Sequence, residues 1–177
     1  DINVIENGDL DRFDTIIMGI RAYNVNDELS SKNELLLDYA KRGGNLLIQY
    51  NTTRNLLTNK LTPFYLNLSR DRVTEEDSPV KILTPLHRAL NFPHKITSED
   101  FENWVQERGL YFPNKWDKSF IPLLSMNDKN ENEKLGSVLI GNYGKGKVIY
   151  TGLSFFRQIP SGVAGAYRLL INLISLE

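Results

Sequence analysis

The chain has 177 residues, 41% hydrophobic and 24% charged, with a formal net charge of −1 and no cysteine. Such a length buries a proper core, and a near-neutral charge offers nothing to draw the protein to nucleic acid or an anionic membrane, so neither is expected as a partner. Without cysteine there are no disulfides, thiolate metal sites or cysteine nucleophiles. No run approaches the ~18 apolar residues of a membrane span.

Residue 1 is not Met and enters directly into a strand-like INVIE, without a basic or apolar leader pattern, which reads as a mature protein or a domain cut from a longer chain. Thr15–Ile20, TIIMGI, is a near-continuous apolar run, as expected of a strand covered on both faces. Asn26 or Asp27 caps a helix to about Arg42, with Leu29, Leu36, Tyr39 and Ala40 on one face and Lys41 and Arg42 in the last turn. Gly43 suits the left-handed position after it, and Asn45–Tyr50 is the next strand. Strand, helix and strand in ~35 residues make a βαβ unit with a right-handed crossover.

Residues 70–79 read as a charged surface loop and Val80–Leu83 as a short strand, and Pro85 and Pro93 punctuate the loops around LHRALNF. Thr97 or Ser98 caps a short helix, SEDFENWVQ, with Phe101, Trp104 and Val105 sharing a face. Phe120–Met126 reads as one strand. Ser137–Gly141 and Lys147–Thr151 form a hairpin through NYGKG. The last helix, about Gly162–Leu176, buries Ala166, Leu169, Leu170, Leu173 and Ile174. With no repeats and no low-complexity linker, residues 1–177 are expected to form a single domain.

Three stretches, TIIMG, YAKRGGNLLIQYN and YGKGKVIYTGLSFF, resemble the class I glutamine amidotransferase-like superfamily, including its ThuA-like branch. The blocks HRALNFPHKITSEDFENWVQERGLYFPNKWD, PLLSMND and FFRQIPSGVAGAYRLLINLISL are similar to the amidotransferase-like domain found behind the catalytic domain of some large bacterial PIG-L-type deacetylases. The resemblance covers nearly the whole chain. It implies an α/β fold of flavodoxin-like, three-layer type, a mainly parallel sheet with helices on both faces, ending in a β-hairpin plus helix. It also implies contact with a deacetylase domain of the same parent chain and a periplasmic or secreted setting.

Glutaminases of that superfamily need a thiolate, a base within hydrogen-bond reach and oxyanion donors. The strand LLIQY leads instead to Tyr50-Asn51, and KVIYTG leads to Leu153, Ser154 and Phe155, so nucleophile and base are both missing. The zinc motif of PIG-L proteins is also missing, and no catalytic residue, metal or cofactor is assigned.

His87 and His94, with Glu99 and Asp100, form the one conceivable mixed metal site, but loop histidines commonly cap helices or bond carbonyls instead. Ser154 sits in GLSFF, which lacks the small neighbours of a nucleophile elbow. Asp71, Glu75, Glu76 and Asp77, like Glu99 and Asp100, can supply paired carboxylates for glycoside hydrolysis, yet read as solvated. YGKG lacks the length of a phosphate-binding loop and reads as a turn.

The collective candidate is the crevice at the strand ends. It gathers Arg21, Tyr23 and Asn24, then Tyr50 and Asn51, then Arg157 and Gln158, with Trp104, Arg108, Tyr111 and Trp116 as a roof. Aromatic faces beside amide and guanidinium donors suit a carbohydrate ligand; core packing accounts equally for the aromatics. The reading is a non-catalytic accessory domain, carbohydrate-facing or interdomain. An independent hydrolase of a sugar or amide is the alternative, and a pure interaction scaffold is a third.

Overall fold

The computed structural model describes residues 2–6 and 10–176. The elements run α1 (Ile2–Glu6), β1 (Thr15–Met18), α2 (Ala22–Val25), α3 (Asp27–Arg42), β2 (Asn45–Gln49), β3 (Leu66–Val73), β4 (Val80–Ile82), β5 (Gly109–Trp116), β6 (Phe120–Pro122), β7 (Leu124–Met126), β8 (Val138–Tyr143), β9 (Gly146–Thr151), α4 (Phe155–Gln158) and α5 (Ala164–Ile174). Two 3-10 turns, Arg88–Leu90 and Ser98–Phe101, lie between β4 and β5.

The βαβ unit forms as expected. The Asn26 side chain accepts the Leu29 N–H at 3.0 Å, and acidic and basic residues occupy the matching ends of α3. Gly43 stops the helix at φ 138° while its N–H returns to the Ala40 carbonyl. β1 pairs parallel to β2, and β2 parallel to β9. The β8–β9 hairpin then runs antiparallel, and β6 joins β8 antiparallel, in the order β1-β2-β9-β8-β6. The sheet is therefore mixed rather than mainly parallel. Two antiparallel ribbons, β3–β5 and β4–β7, stand apart from it.

Alternate residues of a strand face opposite sides of a sheet. Leu46 and Ile48 of β2, with Val148 and Tyr150 of β9, belong to a core completed by Leu29, Leu36, Leu37 and Tyr39 of α3. Leu47 and Ile149 belong to a second core with Phe101, Trp104, Phe112 and, from α5, Ala166, Leu169 and Leu173. Each such fully buried aliphatic or aromatic side chain contributes ~1.5–3 kcal/mol.

Five further expectations are corrected. INVIE is a helix, α1, whose Val4 and Ile5 pack on the α3 side; a five-residue segment with three apolar residues is too short for its period to tell strand from helix. β1 is an edge strand with Ile17 47% exposed, so it is not covered on both faces. Residues 70–73 belong to β3, not to a loop. Phe120–Met126 is two strands in two sheets: Pro122 pairs with Leu139 in the main sheet, and Leu124 pairs with Ile82 in the β4–β7 ribbon. The helix foreseen after Thr97 stops at Phe101, where Glu102 turns extended.

Candidate functional site

Three chain segments meet at the carboxyl ends of β1, β2 and β9. After β1, Arg21 adopts a left-handed conformation, φ 55°, and its N–H donates to the Tyr50 carbonyl at 2.8 Å. That bond ties the first strand end to the second. Asn51, fully buried, accepts the Tyr23 N–H on Oδ1 at 3.0 Å and donates to the Gln49 carbonyl at 3.0 Å. Tyr23 is buried too; its hydroxyl donates to Asn33 Oδ1 at 2.5 Å, and burial pushes its pKa upward. Asn24 clamps the loop after β2: its Oδ1 accepts the Thr52 N–H at 2.8 Å and its Nδ2 donates to the Thr52 carbonyl at 3.0 Å.

The β9 end is equally committed. Ser154 Oγ donates to the Glu107 carbonyl at 2.6 Å and accepts from Gln158 Nε2 at 2.9 Å. Gln158, fully buried, accepts the Val105 N–H at 2.8 Å and donates back to the Val105 carbonyl at 3.0 Å, as a strand would. Arg157 Nε donates to Glu107 Oε1 at 2.5 Å. Among the described residues the Ser154 hydroxyl bonds only to the Glu107 and Arg108 carbonyls and Gln158, with no base among its partners, and it acts as a structural link.

Beside these links lies a small aromatic array, with the Tyr50 ring buried and those of Tyr111 and Phe156 half-buried. The Tyr50 ring stacks on Tyr111 at 5.8 Å and 14° and meets Phe156 at 5.5 Å. Arg157 lies 4.9 Å over the Phe156 ring. Burial raises the Tyr50 hydroxyl pKa; Glu107 and Tyr111 push the same way, and Arg21 and Arg157 oppose them. Tyr111 itself is left-handed, φ 52°, where the β3–β5 register shifts, and its carbonyl accepts the Tyr150 hydroxyl at 3.0 Å. Beyond it opens a cleft of about 490 Å³ lined by Arg70, Arg72, Leu110 and Tyr111.

Of the sequence-derived candidates, Arg21, Tyr50, Tyr111 and Arg157 converge here. Tyr23, Asn24, Asn51 and Gln158 hold the strand ends together from behind. Arg108 lies apart: it is buried, its Nε and Nη2 donate to the Ser78 carbonyl at 3.0 and 2.7 Å, and its Nη1 donates to the Phe101 carbonyl. Burial lowers its pKa to about 10, which leaves it charged at neutral pH. Trp104, buried, donates to the Asp100 carbonyl at 3.0 Å, and Trp116 packs on the α3-side core; both are packing residues. Glu107, Phe156, Arg70 and Arg72 escaped the sequence reading; the aromatic-basic run FFR was the one available signal.

The remaining motifs have structural explanations. His87 Nδ1 accepts the Ala89 N–H at 3.1 Å, and the main-chain N–H of His94 donates to Asn172 Oδ1 at 2.9 Å. Asp100 pairs with Arg168 at 3.2 Å. Among the described residues no group of three or more His, Cys, Asp or Glu can hold a metal ion. YGKG is the β8–β9 turn, with Gly144 at φ 61°. Among the described residues, no helix is long and apolar enough to cross a membrane.

His87 yields a pH prediction. Burial first, then Lys147, holds its imidazole below the ordinary value, and the bond from Ala89 requires a neutral ring nitrogen. As pH falls below about 6.5, the unfolded chain takes up a proton that the folded chain refuses. The contribution is therefore complete above about 6.5 and is lost as pH drops toward the folded value. His87→Asn retains a capping acceptor and should show a smaller fall in melting temperature between about pH 7.5 and about pH 5.5. Equal falls in both proteins would rule this out.

No protein-family model matches the sequence, and no curated protein does. Among solved structures, the chain is similar to cytoplasmic protein STM3548 from Salmonella typhimurium, with a TM-score of 0.61 at 15% identity over 98% of this chain and 73% of that one. Cytoplasmic protein STM1381 from Salmonella typhimurium LT2 gives 0.60 at 16% identity, over 98% and 78%. A cold-adapted beta-galactosidase from Rahnella sp. R3 gives 0.53 at 19% identity; the alignment covers 96% of this chain but 24% of that enzyme. At these identities the likeness is one of fold, an α/β body built on a mixed sheet.

Proposed function

We propose that this chain is a non-catalytic accessory domain of the amidotransferase-like type, flavodoxin-like in its layering, whose strand-end surface faces a carbohydrate or a neighbouring domain. The reading is in keeping with the resemblance to the domain that follows the catalytic part of large bacterial PIG-L-type deacetylases. One observation carries it. At both strand ends where an amidotransferase keeps its nucleophile and base, Asn51 and Ser154 are buried and spend their polar atoms on the backbone and on Gln158. Such a site has no nucleophile to activate and no base to activate it. The accessible part, the exposed Arg21 and the half-buried Arg157, Tyr111 and Phe156, whose rings pack with the buried Tyr50, has the amphipathic character that sugar faces and hydroxyls recognise. A body of this fold occupies 24% of the Rahnella beta-galactosidase chain, which supports an accessory setting.

A thermal-shift screen against amino sugars, cell-wall oligosaccharides and glutamine tests the proposal. A saturable rise with one sugar, lost in Arg157→Gln and Arg21→Ala while both variants stay folded, is the expected result. Release of ammonia from glutamine, or hydrolysis of a sugar, abolished by Ser154→Ala would overturn it.

A further inference from the structure

We infer that the carbohydrate taken by this surface is acidic, its carboxylates held in the Arg70–Arg72 cleft beside Tyr111; the inference rests on the carbohydrate reading above. Burial alternates along this part of β3, with Ser69 and Asp71 half-buried and Arg70 and Arg72 exposed, which puts the two arginines on its open side. Both are exposed and both line the cleft of about 490 Å³.

Unlike several other arginines, neither has an internal partner among the described residues while lining a cleft. Arg42 pairs with Asp11, Arg157 with Glu107 and Arg168 with Asp100, and Arg108 is bound to main-chain carbonyls. Neither Arg70 nor Arg72 forms an ion pair with a described residue. Asp71, between them, is half-buried and does not line the cleft. Glu107, the carboxylate at the neighbouring strand end, is already engaged by Arg157 at 2.5 Å. The cleft therefore presents two uncompensated guanidinium groups, whose planar forks match a carboxylate and exceed what a neutral sugar requires.

Its floor suits a saccharide ring. Tyr111 and Leu110 supply an aromatic ring and an apolar surface. The left-handed backbone of Tyr111 is an unfavourable conformation for a residue with a side chain. It is maintained by the bond from Tyr150 to its carbonyl and by the stack with Tyr50. The Tyr111 ring thereby stands where the cleft and the Tyr50–Phe156 array meet, so the arginine-lined cleft is continuous with the proposed sugar-facing surface.

Titration calorimetry with tetragalacturonate, its full methyl ester and inorganic phosphate tests this, on the parent chain and on the Arg70→Gln/Arg72→Gln double variant. The free acid should bind at least ~10-fold more tightly than the uncharged ester, and the double variant should lose about as much without a change in melting temperature. Binding to the acid should also weaken with added salt. Equal affinity for acid and ester, or full affinity in the double variant, would overturn the acidic specificity and leave the carbohydrate reading intact. No binding of either saccharide would remove both. Binding of phosphate that displaces tetragalacturonate at equal concentration would overturn the sugar and leave a plain anion site.

Discussion

Replacing Gly165 with alanine should destabilise the protein by about 3 kcal/mol, the upper end of the usual cost of overpacking a core. Alanine has the better helix propensity by ~1 kcal/mol, so an isolated α5 would gain from the change. In the folded chain a Cβ at this position would lie 1.9 Å from the Asp100 carbonyl oxygen and 2.4 Å from its carbonyl carbon and Cα. Those atoms are backbone and cannot rotate away. They are also held in place: Asp100 Oδ2 accepts the Thr97 N–H at 2.8 Å, and the Asp100 carbonyl accepts the Trp104 indole at 3.0 Å. Relief thus requires α5 to lift off the second core, where Ala166 and Leu169 are fully buried. Urea unfolding should show the loss as a lower midpoint, with a fall in melting temperature of ~6–12 °C. Gly19, with no atom within 4 Å of a built Cβ, is the control, and Gly19→Ala should change stability by less than ~0.5 kcal/mol. A Gly165→Ala protein as stable as the control would mean that α5 is not seated on the Ser98–Phe101 turn.

That seat is a contact no periodicity announces, and it marks where the sequence stopped being informative. Local chemistry made some elements readable: Asn26 caps α3, Gly43 ends it, and Gly144 turns the β8–β9 hairpin. Each of these acts within a few residues. The missed features depend on distant partners. FIPLLSM has one uninterrupted apolar pattern, yet changes sheets at Leu123 because Leu139 and Ile82 claim its two halves. β3 was obscured by RDR, whose arginines belong to an exposed strand face rather than to a loop. The candidate site divides along the same line. Tyr50, Arg21 and Arg157 were legible because residues at strand ends gather in an α/β fold. Whether Asn51 or Gln158 faces solvent or the backbone is decided by Tyr23 and Val105, 28 and 53 residues away in sequence. A single chain read locally cannot separate an amide that binds ligand from one that replaces a missing backbone partner.

Arg108 is where that distinction has its largest energetic consequence, and Arg108→Met should cost about 3 kcal/mol while leaving ligand binding at the Tyr50–Tyr111 surface unchanged. Methionine retains much of the apolar stem that packs beside Trp104, so the change chiefly removes donors. The guanidinium bonds the Ser78 carbonyl through two nitrogens and the Phe101 carbonyl through a third, joining the loop before β4 to the turn beneath α5. Deleting it leaves two carbonyls without that donor, each costing ~1–3 kcal/mol where water cannot replace it. Removing a desolvated charge returns part of that energy, since burial already lowers the Arg108 pKa to about 10 and neither Asp77 nor Glu76 forms an ion pair with it. The unpaired carbonyls outweigh this relief because they are fixed in backbone and cannot turn to solvent. Arg108→Lys, which keeps a charge but loses the planar fork, should recover only part of the loss. Urea unfolding of the three proteins separates the contributions. A methionine variant as stable as the parent would show that the carbonyls are solvated. A stable variant that had lost sugar binding would return Arg108 to the ligand side.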